Sequence, residues 1–310
     1  MALLPAQQLI LEAFLDRADF TSGSVILDLD GTALIEHDGK VAISGAVEAG
    51  VKNILALESP VILNTLRFPL SVIRTIAEEW LALSDQDQRI PVILLNGSLL
   101  GFIEKKAGII VFDEIAAFPL KNEEIEDMLS GISDLIKKDI HDILLFYYPR
   151  DWHKGEILWV PGAHMIPPVK EKYQSAVEIF SSDIPELKKR MQREQVCMSL
   201  VLVNQPRDVL MSYQHKEPTS FFTTKGVDKS FGTREMARLL NVFLPDSVGA
   251  GDTMMDCFLS DVGLSVTVGT QNLPFKGIRE TIRLDQPHDL GELLTSLAYV
   301  VQKRRLEGSN

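Results

Sequence analysis

Short apolar runs alternate with amphipathic stretches through the first hundred residues. Val25, Ile26 and Leu27 form a mostly β-branched run, suited to a strand covered on both faces, and Gly31 and Thr32 end it. Residues 45–57 read as a helix and residues 59–65 (SPVILNT) as a second buried strand, bounded by Pro60 and by the polar pair Asn64 and Thr65. Residues 70–83 read as another helix. Residues 90–98 (IPVILLNGS) read as a third strand, closed by Asn96-Gly97. This alternation implies right-handed crossovers and a parallel sheet. Ahead of it, Leu9, Ile10, Ala13 and Phe14 recur at helical spacing.

The texture then changes. Residues 107–115 look like a strand and residues 121–138 like a charged amphipathic helix. The apolar runs 143–149 and 156–161 flank a hairpin-like segment, residues 150–155 (RDWHKG). A helix over 183–194 and a strand over 197–203 follow. Hairpins alternating with helices predict an α+β module rather than more parallel sheet. From about Thr219 the doubly wound pattern returns, with a helix over 231–243 that places Met236, Leu239, Leu240 and Phe243 on one face. Strands ending at residues 246–252 and 263–269 come next. The fold class is therefore α/β: a Rossmann-like core of residues 1–115 and 216–310, interrupted by an α+β insertion over 116–215. The basic tail, residues 303–310, reads as a solvated helix end.

Charge narrows the partners. The chain has 310 residues and a net charge of −12, from 31 basic and 43 acidic side chains. So acidic a protein has little positive charge with which to release counterions, which argues against nucleic acid and anionic membranes as partners. Cys197 and Cys257 are the only cysteines and make neither a metal pattern nor a disulfide framework. They read as small buried apolar residues in a reducing compartment, the cytoplasm. The N-terminus lacks the marks of a signal peptide, and no apolar run approaches the roughly 18 residues of a membrane span.

The sharpest chemical signal is Asp28-Leu29-Asp30-Gly31-Thr32. Two carboxylates two residues apart leave the C-terminal end of a core strand, where open parallel sheets bind ligands. Gly31 allows the sharp turn that follows. The segment resembles the first motif of the haloacid dehalogenase superfamily of aspartate-nucleophile phosphatases. The resemblance implies that Asp28 attacks phosphorus and that Asp30 protonates the leaving oxygen, then deprotonates the hydrolytic water.

Such chemistry also needs an anion clamp, a cation and a metal. Thr65 stands where the family's second motif places a phosphate-binding hydroxyl. Leu66 and Arg67 follow, Arg67 resembling the arginine of a TGR-like sequence in the Cof-type subfamily, with Leu66 in place of its glycine. Asn96-Gly97 matches an NG pair near the substrate in that subfamily. Lys225 and Lys229 both suit the cationic role; the resemblance favours Lys229, the second lysine, just before a helix. Asp252 and Asp256 resemble the last motif, GDxxND, and Met255 stands in place of its asparagine. The resemblance implies that magnesium is held by Asp28, the Asp30 carbonyl and Asp252, with Asp256 supporting the site. A thioether cannot replace the hydrogen bonds of the missing amide, so the surroundings of the metal are altered at Met255.

Residues 249–252 (GAGD) also resemble the anion-hole motif of ribokinase-type sugar kinases. That reading leaves Asp28, Asp30, Thr65 and the spaced lysine without a role. The resemblance to the haloacid dehalogenase superfamily implies magnesium-dependent hydrolysis of a small phosphomonoester, with a sugar phosphate the first choice, and the protein is expected to be a monomer or homodimer. The alternatives are a phosphomutase of the same superfamily and a catalytically weak sugar-phosphate-binding or regulatory protein. An α+β cap would cover the site, and its segment holding Tyr147, Tyr148, Arg150, Trp152 and His153 would either contact a sugar or pack within the cap.

Overall fold

The computed structural model describes residues 3–37, 40–83, 89–203 and 220–308. The 215/216 boundary and Thr219 lie outside them. The strands are β1 (Val25–Leu27), β2 (Leu34–His37), β3 (Lys40–Ile43), β4 (Val61–Asn64), β5 (Ile90–Leu94), β6 (Leu99–Lys106), β7 (Ile109–Ala117), β8 (Ile143–Pro149), β9 (Ile157–Val160), β10 (Glu178–Ser181), β11 (Val196–Val203), β12 (Ser220–Phe222), β13 (Val248–Gly251), β14 (Leu264–Val268) and β15 (Glu280–Leu284). The helices are α1 (Pro5–Leu15), α2 (Gly45–Leu55), α3 (Pro69–Thr75), α4 (Ala77–Leu81), α5 (Asn122–Lys137), α6 (Ile166–Lys172), α7 (Ile184–Glu194), α8 (Lys229–Leu240) and α9 (Pro287–Gly308).

Eight strands form one sheet in the order β15-β14-β13-β1-β4-β5-β6-β7. The six from β15 to β5 pair in parallel, and β6 and β7 add an antiparallel edge. The apolar run of β1 thus lies between β13 and β4 with Val25, Ile26 and Leu27 fully buried, as a strand covered on both faces must be. A second sheet, in the order β10-β9-β8-β11-β12, carries α5 and α7 on a separate apolar cluster that includes Tyr147, Trp159, Leu187 and Met191. β7 stays in the large sheet to Ala117, whereas β12 belongs to the smaller one.

Several predicted elements are shaped differently. The helix expected over 70–83 is broken at Ile76, whose φ of −132° separates α3 from α4. The strand expected to run to Asn96-Gly97 ends at Leu94, where Leu95, Asn96 and Gly97 all take positive φ. α8 stops at Asn241, in the left-handed conformation. The apolar face drawn through Phe243 is therefore not continuous: Met236 is buried, while Leu239 is 42% and Phe243 53% exposed. Cys197 is buried, as expected, and Cys257 only half-buried. Among the described residues, no helix is long and apolar enough to cross a membrane.

Candidate active site

β1, β4, β5 and β13 are adjacent parallel strands, so their C-terminal ends open on one edge of the large sheet. Asp28 follows β1 and donates its backbone N–H to Ala250 on β13. Its side chain is buried beside that of Lys229, the first residue of α8, whose Nζ lies 2.5 Å from Asp28 Oδ1 and 2.7 Å from Asp256 Oδ1. Lys229 is 2% exposed, so its ammonium depends on these two carboxylates for compensation. Burial pushes the ammonium toward release of its proton; Asp256 and Asp28 outweigh burial, and the net shift is upward. Lys225 is exposed, four residues earlier.

Lys229 is fixed from three sides. Asp228 caps α8 by accepting from the Phe231 N–H at 2.7 Å. Asn64, at the end of β4, donates from Nδ2 to the Lys229 carbonyl at 3.1 Å and to Thr233 Oγ1 at 2.9 Å. Gly97 lies so close that a Cβ there would sit 2.1 Å from the Asp228 carbonyl oxygen, and its φ of +92° also favours glycine. Asn96 and Gly97 thus seat the start of α8, while Asn96 also brings its N–H to the Thr65 carbonyl at 3.4 Å.

Asp256 is fully buried, and both its oxygens are used. Oδ1 takes Lys229; Oδ2 accepts from the N–H groups of Asp252 and Thr253, at 2.9 and 2.8 Å, and from the Thr253 hydroxyl at 3.1 Å. The loop therefore closes on Asp256 without a side chain from residue 255. Met255 contributes its backbone N–H to Thr253 Oγ1 at 3.3 Å. Asp252 accepts from the Thr32 hydroxyl at 3.3 Å and lies against Gly31, where a Cβ would be 2.2 Å from Asp252 Oδ2.

Asp28, Asp252 and Asp256 each offer an oxygen within 4.8 Å of the others. With both Asp256 oxygens engaged, Asp28 and Asp252 hold the remaining carboxylate lone pairs: hard oxygen donors of the kind magnesium takes. Burial, with the neighbouring carboxylates, holds the Asp28 carboxyl well above the usual range despite Lys229. Burial and Asp256 push Asp252 up to about 6. Three carboxylates against one ammonium leave an excess of buried negative charge that a divalent cation would offset, so the donor set fits such an ion.

The other predicted residues take different places. Arg67 is turned towards Asp30. It grips Asp30 through two parallel hydrogen bonds, Nε to Oδ2 at 2.7 Å and Nη2 to Oδ1 at 2.5 Å, and its Nη1 donates to Thr75 Oγ1 at 3.0 Å. The Asp28 and Asp30 side chains are held by different cations, Lys229 and Arg67. Thr65 is buried and its Oγ1 accepts the Arg67 N–H at 3.2 Å, which fixes the turn after β4. Leu66 packs against the core. Asn64, Thr32 and Thr75 were not singled out as site residues by the sequence. Asn64 and Thr32 lie inside segments the motifs had marked; Thr75 carried no signal.

The aromatic segment of the smaller sheet is mostly spent on packing. The Tyr147 and Tyr148 hydroxyls donate to the buried Glu194 and Glu156, at 3.0 and 2.7 Å. Tyr148 lies 5.4 Å from Phe68 and Trp152 6.2 Å from Phe112, ring centre to ring centre, while Arg150 pairs with Glu114 of β7. His153 stacks on Trp152 and is exposed.

No family model matches the chain, and no curated protein matches it either. Solved structures do. The chain is similar to BT1666 from Bacteroides thetaiotaomicron, described as a phosphatase of the haloalkanoate (HAD) enzyme superfamily, with a TM-score of 0.62, 15% identity, and coverage of 91% of this chain and 96% of that one. It is similar to BT4131, described as a HAD subclass IIB sugar phosphatase, with a TM-score of 0.61, 17% identity, and coverage of 90% and 98%. TM0651 from Thermotoga maritima follows with a TM-score of 0.58, 17% identity, and coverage of 91% and 97%. The fold is that of the haloacid dehalogenase superfamily, with its Rossmann-like sheet.

Proposed function

We propose that this protein is a magnesium-dependent phosphatase that hydrolyses a small phosphomonoester, a sugar phosphate first, through a phosphorylated Asp28. The observation that carries the reading is the bridging of Asp28 and Asp256 by a buried Lys229, with Asp252 alongside, at the C-terminal edge of the parallel strands. The neighbours' descriptions as phosphatases, one of them a sugar phosphatase, support the substrate class. In this reading the large sheet with α8 and α9 is the catalytic core, and the insertion with the smaller sheet, running from about residue 118 to 222, is the cap.

Lys229 occupies Asp28 Oδ1, which leaves Oδ2 as the attacking oxygen. As the Asp28–phosphorus bond forms, the bond to the leaving oxygen breaks and Asp30 supplies that oxygen's proton. Water then attacks phosphorus, Asp30 takes its proton, and the Asp28–phosphorus bond breaks to free phosphate. Lys229 holds Asp28 in line and offsets charge on the transferring group. Magnesium, held by Asp28, the Asp30 carbonyl and Asp252, would supply electrostatic stabilisation of the phosphoryl oxygens.

The Arg67–Asp30 pair gives the acid a trigger. Both Asp30 oxygens are taken by Arg67, so Asp30 must leave the guanidinium before it can reach a leaving oxygen. An arriving phosphate competes for the guanidinium and releases Asp30 in the same event, which unites the expected phosphate role of Arg67 with its observed place. The test is magnesium-dependent release of phosphate from an aryl phosphate: Asp28→Asn is expected to abolish it, and full activity in that variant removes the nucleophile assignment. Arg67→Lys, which cannot form the two-pronged contact, is expected to lower kcat on the aryl phosphate.

A further inference from the structure

We propose that Glu124, in the cap, is a positioning residue for Lys229; the inference rests on the phosphatase reading. Two stretches of chain cross between the sheets, residues 118–121 outward and residues 223–228 on return. Glu124 stands in the first turn of α5 and its carboxylate ties the two together. Oε2 accepts the Lys121 N–H at 2.8 Å and the Thr224 hydroxyl at 2.7 Å, and Oε1 accepts the Lys225 N–H at 2.7 Å. One side chain on the cap thus holds both crossings.

The return crossing runs straight into the catalytic lysine. Thr224 opens a turn closed by the Val227 N–H to its carbonyl at 2.9 Å, with Thr223 Oγ1 bonded to the Val227 carbonyl at 2.7 Å. Asp228 then caps α8 and Lys229 is its first residue. The outward crossing braces the same helix: Phe118 bonds the Ser98 carbonyl at 2.8 Å, and its ring meets that of Phe231 edge-on at 4.8 Å between centres. The cap side of α8 is fastened through Glu124, and the core side through Asn64 and Gly97. A displacement of the 224–227 turn therefore moves the Lys229 backbone relative to Asp28.

Misplacing a group that acts at the reacting phosphate lowers turnover more than it weakens ground-state binding. The test measures hydrolysis of a small aryl phosphate with magnesium by wild type, Glu124→Ala, Glu124→Gln and Thr224→Val, with Lys229→Met as the second axis of a double-mutant cycle. Glu124→Ala is expected to lower kcat by about tenfold with KM within about twofold. Glu124→Gln keeps one acceptor oxygen and recovers most of the loss. Thr224→Val, which leaves the start of α5 intact, gives the same split at smaller amplitude and serves if Glu124→Ala does not fold. In the Lys229→Met background, loss of Glu124 or of the Thr224 hydroxyl adds little, because both act through the lysine. Wild-type kcat in Glu124→Ala and Thr224→Val, or losses that multiply with that of Lys229→Met, overturns the inference while the phosphatase reading stands. A wild-type protein without phosphate release, or a fully active Lys229→Met, overturns the reading itself.

Discussion

Asp252→Asn should make the metal-free protein more stable and the enzyme inactive. The Asp252 carboxyl is pushed from 3.8 up to about 6, first by burial and then by Asp256. An acid whose native pKa lies above its unfolded one binds more protons when folded, so its contribution to stability is full below about pH 4 and is lost as pH rises to about 6. At ~1.4 kcal/mol per pKa unit, ionised Asp252 costs the fold about 3 kcal/mol at neutral pH. Asparagine removes the charge and keeps an oxygen for the Thr32 hydroxyl. Urea unfolding with a chelator present is the assay. At pH 8 the variant is expected to exceed wild type by about 2–3 kcal/mol, and at pH 4 the two should nearly coincide. Added magnesium should stabilise wild type and leave the variant nearly unchanged. A variant that is less stable than wild type at both pH values would show that Asp252 is a net stabilising carboxylate, and would refute the charge-excess argument for a cation at this site.

Two other substitutions separate the scaffold from the chemistry. Gly97→Ala places a Cβ 2.1 Å from the Asp228 carbonyl oxygen at a φ of +92°, and should cost about 2 kcal/mol or more in urea unfolding while lowering kcat, because the backbone that must yield carries Lys229. Tyr148→Phe takes a hydroxyl from the buried Glu156, which retains Ser175 at 2.9 Å; a loss of about 1–3 kcal/mol is expected, with kcat on a small aryl phosphate within twofold of wild type.

Much of this architecture could be read from the chain because its signals are local. The buried run 25–27 bears the imprint of a central parallel strand, and the polar residues that close the runs at 28, 64–65, 96–97 and 252 mark strand ends on one edge. The family resemblance favoured Lys229 over Lys225, and it is Lys229 that meets Asp28. What could not be read depends on distant partners. Whether Arg67 faces phosphate or Asp30 is decided by a carboxylate 37 residues away from it in sequence. The tyrosines of β8 have the look of ligand contacts, yet Glu194 and Glu156 claim their hydroxyls from other segments. β6 had no counterpart among the predicted strands, and the strand read over 107–115 gave no sign that β7 runs antiparallel, since an apolar strand carries no mark of its direction.

The pairing of β1 with β13 has a consequence for the order of assembly. Val25 lies beside Val248, so the strand that bears Asp28 lacks one neighbour until synthesis has reached β13. At the ~5–20 residues per second of synthesis, that wait is about 10–45 s. During it, β1 and β4 can pair, and the five-stranded sheet can complete itself once β12 has emerged. The nascent chain therefore carries an apolar sheet edge open to other chains, the condition under which strand mispairing and chaperone capture occur. Only the segment that brings Lys229 and then β13 both seals that edge and gives Asp28 its cation.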